Sequence, residues 1–522
     1  MKRTQPRPRA RVPLLLFPLL ASLGSPGRAQ DGGDDPPPAM PPGITSEAEA
    51  DPTVPRGVLV NEPGAFGGYT LFAPINSTAV HLIDMDGTVV HSWQTDSAPG
   101  AWVYLLEDGT LLRAGREDRD PRFRGGGIGG RIQKLAPDGT VLWHWQLAGE
   151  KRQQHHDLEP LPNGNVLLIT WERVPRLQAI AHGRDPRQVG EVGLWPDAVL
   201  EIQPLPPDRA KVVWEWRAWD HLVQDAYEAR PDYGMIAEHP GRIDLNGEHR
   251  DAPPLSEEEL RRRRELEEGM EALGYFGGDE GAVDPNSEVV EKRQKSGDWL
   301  HTNSVDYHAE YDLIVLSTPE FSELWVIDHS TTTAEAATGR GGRWGRGGDL
   351  LWRWGNPRMY GAGGDSDRRL FYQHDPTWIP GKRPGELRLL VFNNGGGRPG
   401  EPHSSVEELV LPFDPKKGFQ RESGKAYGPA EPAWIYADPK GFYSAFISGS
   451  QRLPNGNTLI CSGVPGRLFE VTAEGRIVWD YRNPHGGDVE PPEHAGQAPP
   501  LALFRGTRLA RDHPGVLRLL KK

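Results

Sequence analysis

The chain has 522 residues and a formal net charge of −14, which argues against nucleic-acid binding because that function needs a basic surface. The same negative charge means that an anionic substrate has to be held by a local positive pocket. Cys461 is the only cysteine, so an internal disulfide, dithiol redox chemistry and a metal site built from several thiolates are all excluded.

The N-terminal region has the composition of an export signal. Basic residues between Lys2 and Arg11 are followed by the apolar stretch VPLLLFPLLASLG, which is too short to span a bilayer as a stable helix. We therefore predict a signal peptide over residues 1–30, cleaved near Ala29, and a periplasmic or secreted protein. Residues 31–57 are rich in proline and acidic residues and predict a disordered linker. No later segment has the length and apolarity to cross a membrane, so we expect no membrane insertion.

The rest of the chain, residues 58–522, repeats one pattern of strands and turns. A strand that ends in aromatic residues recurs after an antiparallel hairpin, often behind an Asp-Gly or Glu-Gly turn that tolerates positive φ. Six such units, the first starting at Tyr69, predict an all-β protein with a six-bladed β-propeller. A large β-sandwich is the alternative. The recurring strands are VVHSW (89–93), VLWHW (141–145), VVWEW (212–216), LLWRW (350–354), AWIYA (433–437) and IVWDY (477–481).

Residues 217–300 interrupt the repeat between the third and fourth blades. Within them, Ser256–Leu273 predicts a helix, because Ser256 and Glu259 have capping-box spacing and Gly274 follows the last apolar residue. We interpret the segment as a partly helical insertion. It lies either over the mouth of the propeller or on its surface in solvent. Residues 501–522 form a C-terminal tail.

Three histidines occupy equivalent places in successive blades. In a propeller the first strand of each blade is innermost, and His156, His301 and His374 stand near the start of that strand in three consecutive units. The matching positions in the second and sixth blades are Ala101 and Ser448. The predicted cluster therefore lies on one side of the channel, as expected for a pocket.

The cluster has three possible uses. A single histidine at a strand start is usually structural, and three histidines can hold Zn²⁺. Because no HExxH-like pair supports a metal, we predict none. A neutral imidazole is also a nucleophile. Transfer of a sulfuryl group would need such a nucleophile together with donors to the sulfuryl oxygens, for which Thr302 and Asn303 are suited.

A glycine-rich segment offers a different chemistry, which we reject. Residues 125–130 (GGGIGG) contain GxGxxG, but a strand, a turn and another strand follow them. A dinucleotide site needs a helix at that point. We therefore predict no nucleotide cofactor.

Several long motifs resemble the bacterial arylsulfotransferase family and occur in order from about Tyr69 to Pro514. They are HHDLEPLPNGNVLL, WEWRAWDHLVQD, WLHTNSVDYHAEYDLIVLS, VIDHSTTTAEA, DLLWRWGNP, LFYQHDPTWIP with VFNNG, and LFRGTRLARDHPG.

The resemblance implies a periplasmic six-bladed propeller that moves a sulfuryl group from an aryl sulfate ester to a phenolic acceptor, without a nucleotide donor or other cofactor. It also implies a ping-pong reaction through a sulfated histidine, here His374. The residues that it places around the sulfuryl oxygens are His301, Thr302, Asn303 and His156, with His155 beside the last of these.

The sequence departs from the family where an arginine that binds the sulfuryl group is expected, because Thr318 and Pro319 occupy that place. Loss of a guanidinium from an oxyanion site would cost about 2–4 kcal/mol of transition-state stabilisation. Arg505 and Arg508 are candidate substitutes, and ordinary surface arginines are the alternative interpretation of both.

Two other functions remain open from the sequence. The missing arginine favours a propeller of the same family that binds a ligand without catalysis. The second is a quinone-dependent propeller dehydrogenase, for which no sequence motif gives support. The sequence predicts nothing about the oligomeric state.

Overall fold

The computed structural model describes residues 54–117, 123, 125–249, 296–487, 489 and 501–521. The predicted signal peptide, most of the predicted linker and the predicted helix at 256–273 lie outside these residues. Within them, no helix has the length and apolarity needed to cross a membrane.

The described chain is mostly β-strand, and its strands are numbered here in chain order. They are β1 (Gly57–Asn61), β2 (Gly68–Pro74), β3 (Ala79–Ile83), β4 (Val89–Gln94), β5 (Pro99–Leu105), β6 (Leu111–Arg116), β7 (Gly130–Leu135), β8 (Val141–Gln146), β9 (Arg152–Pro160), β10 (Val166–Glu172), β11 (Asp197–Leu205), β12 (Arg209–Arg217), β13 (Leu222–Val223), β14 (Ile243–Asp244), β15 (Ser304–His308), β16 (Leu313–Thr318), β17 (Glu323–Asp328), β18 (Trp352–Trp354), β19 (His374–Ile379), β20 (Arg388–Asn393), β21 (Ser405–Val410), β22 (Phe413–Asp414), β23 (Gly418–Phe419), β24 (Trp434–Ala437), β25 (Gly449–Arg452), β26 (Thr458–Ser462), β27 (Arg467–Val471), β28 (Ile477–Arg482) and β29 (Leu503–Ala510).

Helices in these ranges are few and short. The α-helices are α1 (Arg176–Ala181), α2 (Thr333–Ala336) and α3 (Pro514–Leu520), and the 3₁₀ turns are Pro186–Gln188, Ala218–Asp220, Ile236–Glu238, Gly247–His249, Pro357–Tyr360 and Asp365–Asp367.

The strands form six antiparallel blades, which confirms the predicted six-bladed propeller. The blades are β29-β2-β3-β4, β5-β6-β7-β8, β9-β10-β11-β12, β15-β16-β17-β18, β19-β20-β21-β24 and β25-β26-β27-β28, with β1 added outside β28. The strands β29, β5, β9, β15, β19 and β25 contact one another in that order around a closed ring. They are therefore the innermost strands, and they surround the channel.

The ring is closed from both ends of the described chain. The C-terminal strand β29 is the innermost strand of the first blade and pairs with β2, Leu71 lying opposite Thr507. The N-terminal strand β1 is the outermost strand of the sixth blade, with Val58 opposite Tyr481. The first blade thus takes its inner strand from the predicted tail, so the strand at Tyr69 is its second.

The recurring tryptophans have a common structural role. All six predicted aromatic strands are the fourth strands of their blades. In each blade an indole N–H from this strand donates a hydrogen bond to a backbone carbonyl of the next blade, either in the connection between its third and fourth strands or, for Arg209, at the start of the fourth strand. Each bond contributes about 1 kcal/mol, and together they link all six blades. The bonds are Trp93 to the carbonyl of Ala136 (3.1 Å), Trp143 to Arg209 (2.8 Å), Trp216 to Gly348 (2.7 Å), Trp352 to Gly428 (2.8 Å), Trp434 to Ala473 (2.8 Å) and Trp479 to Met85 (2.9 Å).

The described part of the 217–300 segment contains no blade. It consists of short 3₁₀ turns and a parallel pair, in which β13 lies beside β14. His221 fixes this segment to the fourth blade, because its Nδ1 lies 2.9 Å from Asp349 and its Nε2 lies 2.7 Å from the carbonyl oxygen of Ala336. The predicted helix at 256–273 lies outside the described residues, so the helical character of the insertion stays a prediction.

Candidate active site

The predicted histidines lie where the inner strands leave regular geometry. The register of β9 against β10 shifts opposite His156, and that of β19 against β20 shifts just after His374. His156 and His301 have left-handed backbone conformations, with φ of 50° and 52°. Such a residue costs about 1–3 kcal/mol, and bulges of this kind redirect side chains. The blades therefore accept local strain at the height where the histidines point inward.

The structure brings the predicted histidines together. The ring centroids of His156 and His301 are 4.5 Å apart, and those of His155 and His156 are 5.1 Å apart. Phe504 on β29 lies 6.3 Å from both His156 and His374. His301 and His374 are 4% and 3% exposed, whereas His155 and His156 are fully buried. All four histidines are therefore buried, and His301 and His374 keep the small exposed fraction.

His374 is held as a neutral imidazole with a defined tautomer. Its Nδ1 lies 2.8 Å from Asn394 Oδ1 and 3.0 Å from the carbonyl oxygen of Tyr372. Because both partners accept, Nδ1 carries the proton. Burial lowers the pKa of His374 to about 3, and the charges of His301 and Arg505 act in the same direction. Nε2 is buried without a hydrogen-bond partner among the described residues, so it presents a free lone pair.

His301 is held in the opposite charge state. Its Nδ1 lies 2.5 Å from Asp298 Oδ2, and Asp298 Oδ1 accepts a hydrogen bond of 3.0 Å from the indole of Trp171. Burial alone would lower the pKa of His301, but the Asp298 carboxylate raises it above its ordinary value. The pKa of Asp298 is correspondingly lowered, chiefly by His301 acting against burial. The Asp298 carboxylate therefore favours the cationic form of His301.

His155 supports His156 from behind. It stacks on Trp171 at 4.1 Å, its Nε2 lies 3.3 Å from Asp197 Oδ1, and its Nδ1 lies 2.8 Å from Nδ1 of His156. Burial and the neighbouring histidines lower the pKa of His156 well below its ordinary value. Of this pair, His156 is the ring that contacts His301, and His155 orients it.

Thr302 and Asn303 lie directly after His301, and bonds to neighbouring groups fix both residues. The Thr302 backbone N–H donates to Asp197 Oδ2 at 2.7 Å. Asn303 Nδ2 donates to the carbonyl oxygen of Gln373 at 2.9 Å, and its Oδ1 accepts from the Ser304 hydroxyl at 3.0 Å.

Arg505 reaches across the ring from β29 and binds carboxylates. Its Nη1 lies 2.8 Å from Asp157, its Nε lies 2.9 Å from Asp375, and its Nη2 donates to Ser304 Oγ at 2.7 Å. Burial would lower the pKa of Arg505, but Asp157 and Asp375 raise it further above its ordinary value. Asp157 also accepts from the backbone N–H of Val305. Arg505 thus ties the first, third, fourth and fifth blades together beside the histidines.

The other residues considered for the missing arginine lie elsewhere or are engaged. Thr318 is buried, and its hydroxyl donates to the carbonyl oxygen of Glu323 at 3.1 Å. Arg508 is 2% exposed, stacks on Trp479 and lies 3.5 Å from Glu470 in the sixth blade. Neither Arg505 nor Arg508 is a surface arginine, so that alternative interpretation was wrong.

Three contributors to the site were not predicted. Asp298 lies at the end of the 217–300 segment, and Asn394 belongs to the quoted VFNNG motif. Gly127 belongs to the GGGIGG segment. Its carbonyl oxygen accepts the His156 backbone N–H at 2.6 Å, and a Cβ there would lie 2.3–2.5 Å from the His156 ring. The glycine run thus allows the chain to pass against a histidine. In the sequence, the glycine run and the adjacent asparagines of VFNNG were the features that could have indicated Gly127 and Asn394.

An aromatic cluster lies beside His374. Trp102, Phe446 and Phe504 are each 3% exposed and form one apolar group, against which Tyr372 and Tyr443 pack. Tyr372 is two residues from His374 in the chain, and Phe504 faces its ring. The cluster gives the site an apolar, aromatic wall. Across the ranges described above, no group of three or more side chains is arranged to hold a metal ion.

Fold and site together define a β-propeller with a buried cluster of histidines in its channel. The chain belongs to the arylsulfotransferase (ASST) family, whose sequence model matches residues 75–479. This membership supports a transferase that acts on small aryl substrates. Among curated proteins, none matches the chain significantly.

Solved structures resemble the chain only distantly. A protein of unknown function from Bacteroides caccae is 12% identical, with 80% of this chain and 94% of that chain covered and a TM-score of 0.38. A putative 6-phosphogluconolactonase from Bacteroides fragilis is 10% identical, with 86% and 99% covered and a TM-score of 0.36. The periplasmic gluconolactonase PpgL from Pseudomonas aeruginosa is 11% identical, with 80% and 96% covered and a TM-score of 0.32. Similarity at this level carries no functional information.

Proposed function

We propose that the protein transfers a sulfuryl group from an aryl sulfate ester to a phenolic acceptor through a sulfohistidine on His374. The observation that carries the proposal is the state of this ring. Its Nδ1 is held by two acceptors, and its buried Nε2 has no hydrogen-bond partner among the described residues. A neutral imidazole with a free lone pair is a competent nucleophile. Following the N-terminal prediction, we also place the reaction outside the cytoplasm.

In the first half-reaction, His374 Nε2 attacks the sulfur of the donor. The N–S bond forms while the bond from sulfur to the aryl oxygen breaks, and its electron pair leaves with the aryloxide. The cationic His301 lies beside the site with its Nδ1 paired to Asp298, so Nε2 is the nitrogen that can give a proton to the aryloxide. Charge on the sulfuryl oxygens is offset by the same cation until that proton moves.

In the second half-reaction the steps reverse with a different phenol. The acceptor hydroxyl returns its proton to neutral His301, its oxygen bonds to sulfur, and the N–S electron pair returns to His374. His301 and His374 thus recover their starting states after each cycle. The aromatic wall of Trp102, Phe446 and Phe504 provides a surface on which aryl rings of both substrates stack.

In this proposal Arg505 does not contact the sulfuryl group directly. Its Nη1 donates to Asp157, its Nη2 donates to Ser304, and its Nε forms an ion pair with Asp375. We assign it to positioning the inner strands beneath the histidines, while its charge helps to keep His374 neutral.

Intact-mass measurement tests the nucleophile. Incubation with a chromogenic aryl sulfate and no acceptor should add about 80 daltons, the mass of a sulfuryl group, to the wild type. Addition of a phenol should remove this mass and yield the new ester. His374→Ala should show neither the adduct nor turnover. Transfer by His374→Ala at the wild-type rate would refute the assignment.

Thr318, standing where the family carries an arginine, favours one alternative, a propeller that binds aryl sulfates without catalysis. Such a protein would bind the donor in calorimetry and gain no covalent mass across a broad panel of donors. Those two results together would refute the enzymatic proposal and support the binding protein.

A further inference from the structure

Asn394 is oriented by its surroundings in one way only. Its Nδ2 donates to the carbonyl oxygens of Ser444 at 2.8 Å and Ile447 at 2.7 Å, and the residue is fully buried. An amide nitrogen has two hydrogens, and both are used here. A flipped amide would turn its oxygen toward two carbonyl oxygens, so the oxygen must face His374.

This orientation decides which nitrogen of His374 is protonated. Asn394 Oδ1 lies 2.8 Å from Nδ1 and can only accept a hydrogen bond. The carbonyl oxygen of Tyr372, at 3.0 Å, is a second acceptor. The proton therefore resides on Nδ1, and the lone pair resides on Nε2.

The same bond strengthens during the reaction. When Nε2 binds sulfur, the imidazole acquires positive charge that it shares with its Nδ1–H. A charged donor makes a stronger hydrogen bond than a neutral one. The Asn394 oxygen thus interacts more favourably with the sulfated ring than with the resting ring, as catalysis requires.

The carbonyls that orient Asn394 belong to the segment that also carries part of the aromatic wall. Ser444 and Ile447 flank Phe446. The Ser404 hydroxyl donates to the carbonyl oxygen of Asn394 at 2.8 Å and accepts from the Ser444 backbone N–H at 2.9 Å. One polar network therefore positions both the nucleophile and an aryl-contacting element.

From this geometry we infer that Asn394 is a positioning residue, which fixes the tautomer and direction of His374 so that Nε2 is the nitrogen that reacts. The inference rests on the proposed function for its catalytic consequence. The tautomer itself is independent of that function.

Two substitutions separate this role from simple packing. Asn394→Ala removes the closer of the two acceptors of Nδ1 and leaves only the Tyr372 carbonyl oxygen, so kcat should fall by roughly 10²-fold while KM for the donor changes by less than about threefold. Asn394→Asp keeps an oxygen toward Nδ1, but its carboxylate also stabilises the imidazolium of His374, so part of kcat should be recovered only as the pH rises and Nε2 loses its proton. If the residue only filled space, Asn394→Asp should be as damaging as Asn394→Ala or worse at every pH, because it places a carboxyl group beside two carbonyl oxygens.

The matched control is Asn457→Ala. Asn457 is also buried, and its Nδ2 also makes two bonds, to the carbonyl oxygen of Gly64 at 2.9 Å and to Glu470 at 2.7 Å. It lies in the sixth-blade hairpin, so kcat should equal that of the wild type.

Nitrogen NMR of ¹⁵N-histidine-labelled protein gives a readout that does not depend on turnover. The His374 signals are those missing from His374→Ala. Wild type and Asn394→Asp should show a protonated Nδ1, and Asn394→Ala should show a mixture of tautomers. An unchanged Nδ1–H tautomer in Asn394→Ala would overturn the inference. A wild type without any transfer would defeat the proposed function alone, since these signals would still report on Asn394.

Discussion

The histidines of the channel differ in charge because different residues contact their outer nitrogens. Asn394 and Tyr372 offer neutral acceptors to His374, whereas Asp298 offers a carboxylate to His301. A carboxylate stabilises the imidazolium, and a neutral acceptor in a buried site leaves the imidazole uncharged. Two side chains of one type thereby acquire the separate roles of nucleophile and cation.

Removal of the Asp298 charge tests whether His301 acts as the cation. In Asp298→Asn burial acts without the opposing carboxylate and lowers the pKa of His301 below its ordinary value, so the ring is neutral at pH values where that of the wild type is cationic. We expect kcat to fall by about 10²-fold at pH 7 and much less at high pH, above the wild-type pKa of His301, where both rings are neutral. A pH–rate profile measures this change. Equal losses at both pH values would show that Asp298 acts through structure alone.

Among the elements, β29 combines ring closure with the chemistry. It supplies the inner strand of the first blade, places Phe504 6.3 Å from both His156 and His374 and carries Arg505 to the carboxylates of two other blades. Asp157 and Asp375 are buried and depend on this guanidinium for a counter-charge. The strand at the end of the fold is therefore needed for the site in the middle of it.

The Arg505→Met substitution measures that dependence. It leaves two buried carboxylates without their cation, which should cost about 3–5 kcal/mol of the free energy of unfolding, measured by urea denaturation. Arg476→Met is the control, because the ion pair of Arg476 with Glu62 is 58% and 49% exposed and should contribute less than about 1 kcal/mol. A stable Arg505→Met protein without activity would instead support the predicted contact of Arg505 with substrate.

The whole molecule is stabilised by contacts that run from each blade to the next around the ring. The outer tryptophans link every adjacent pair of blades, and inner aspartates add further links, such as Asp375 Oδ2 accepting the Ser450 backbone N–H at 2.8 Å. Because the ring is closed by β1 and β29 at opposite ends of the described chain, no blade has a free neighbouring face. We therefore expect the ring to unfold as one unit.

One inter-blade contact should make this stability depend on pH. His329 of the fourth blade lies 2.6 Å from Asp312 and 3.1 Å from Glu201 of the third blade. Burial lowers its pKa, but the two carboxylates outweigh burial and raise it to about 9. Since this value exceeds that of the unfolded chain, about 6.5, the contribution is full below pH 6.5 and is lost as pH rises through 9.

The shift in the pKa of His329 corresponds to roughly 3 kcal/mol. The difference in unfolding free energy between wild type and His329→Gln should narrow by about this amount between pH 6 and pH 10, in guanidinium titrations. His144→Gln, at an exposed position on β8, should show no such trend. A difference that stays constant with pH would rule out titration of His329 as its source.

The sequence by itself determined the fold class and the height of the histidines. The aromatic strands recur because the fourth strand of each blade must pack an indole against the next blade. This requirement produces a periodic pattern of aromatic residues in the sequence. His156, His301 and His374 were found because equivalent positions in successive inner strands meet at one channel. A repeat of this kind is recognised by comparing segments of the sequence with one another, so it can be identified without a structure.

Only the tertiary structure decided the charge state of each ring and the origin of the inner strand of the first blade. Asp298 lies three residues before His301, but Asn394 lies 20 residues from His374, and Arg505 lies 348 residues from Asp157. No periodicity connects these partners, because they meet through bulges, loops and the return of β29. The pKa of a buried group depends on neighbours within a few ångströms, and the fold brings those neighbours from distant parts of the chain.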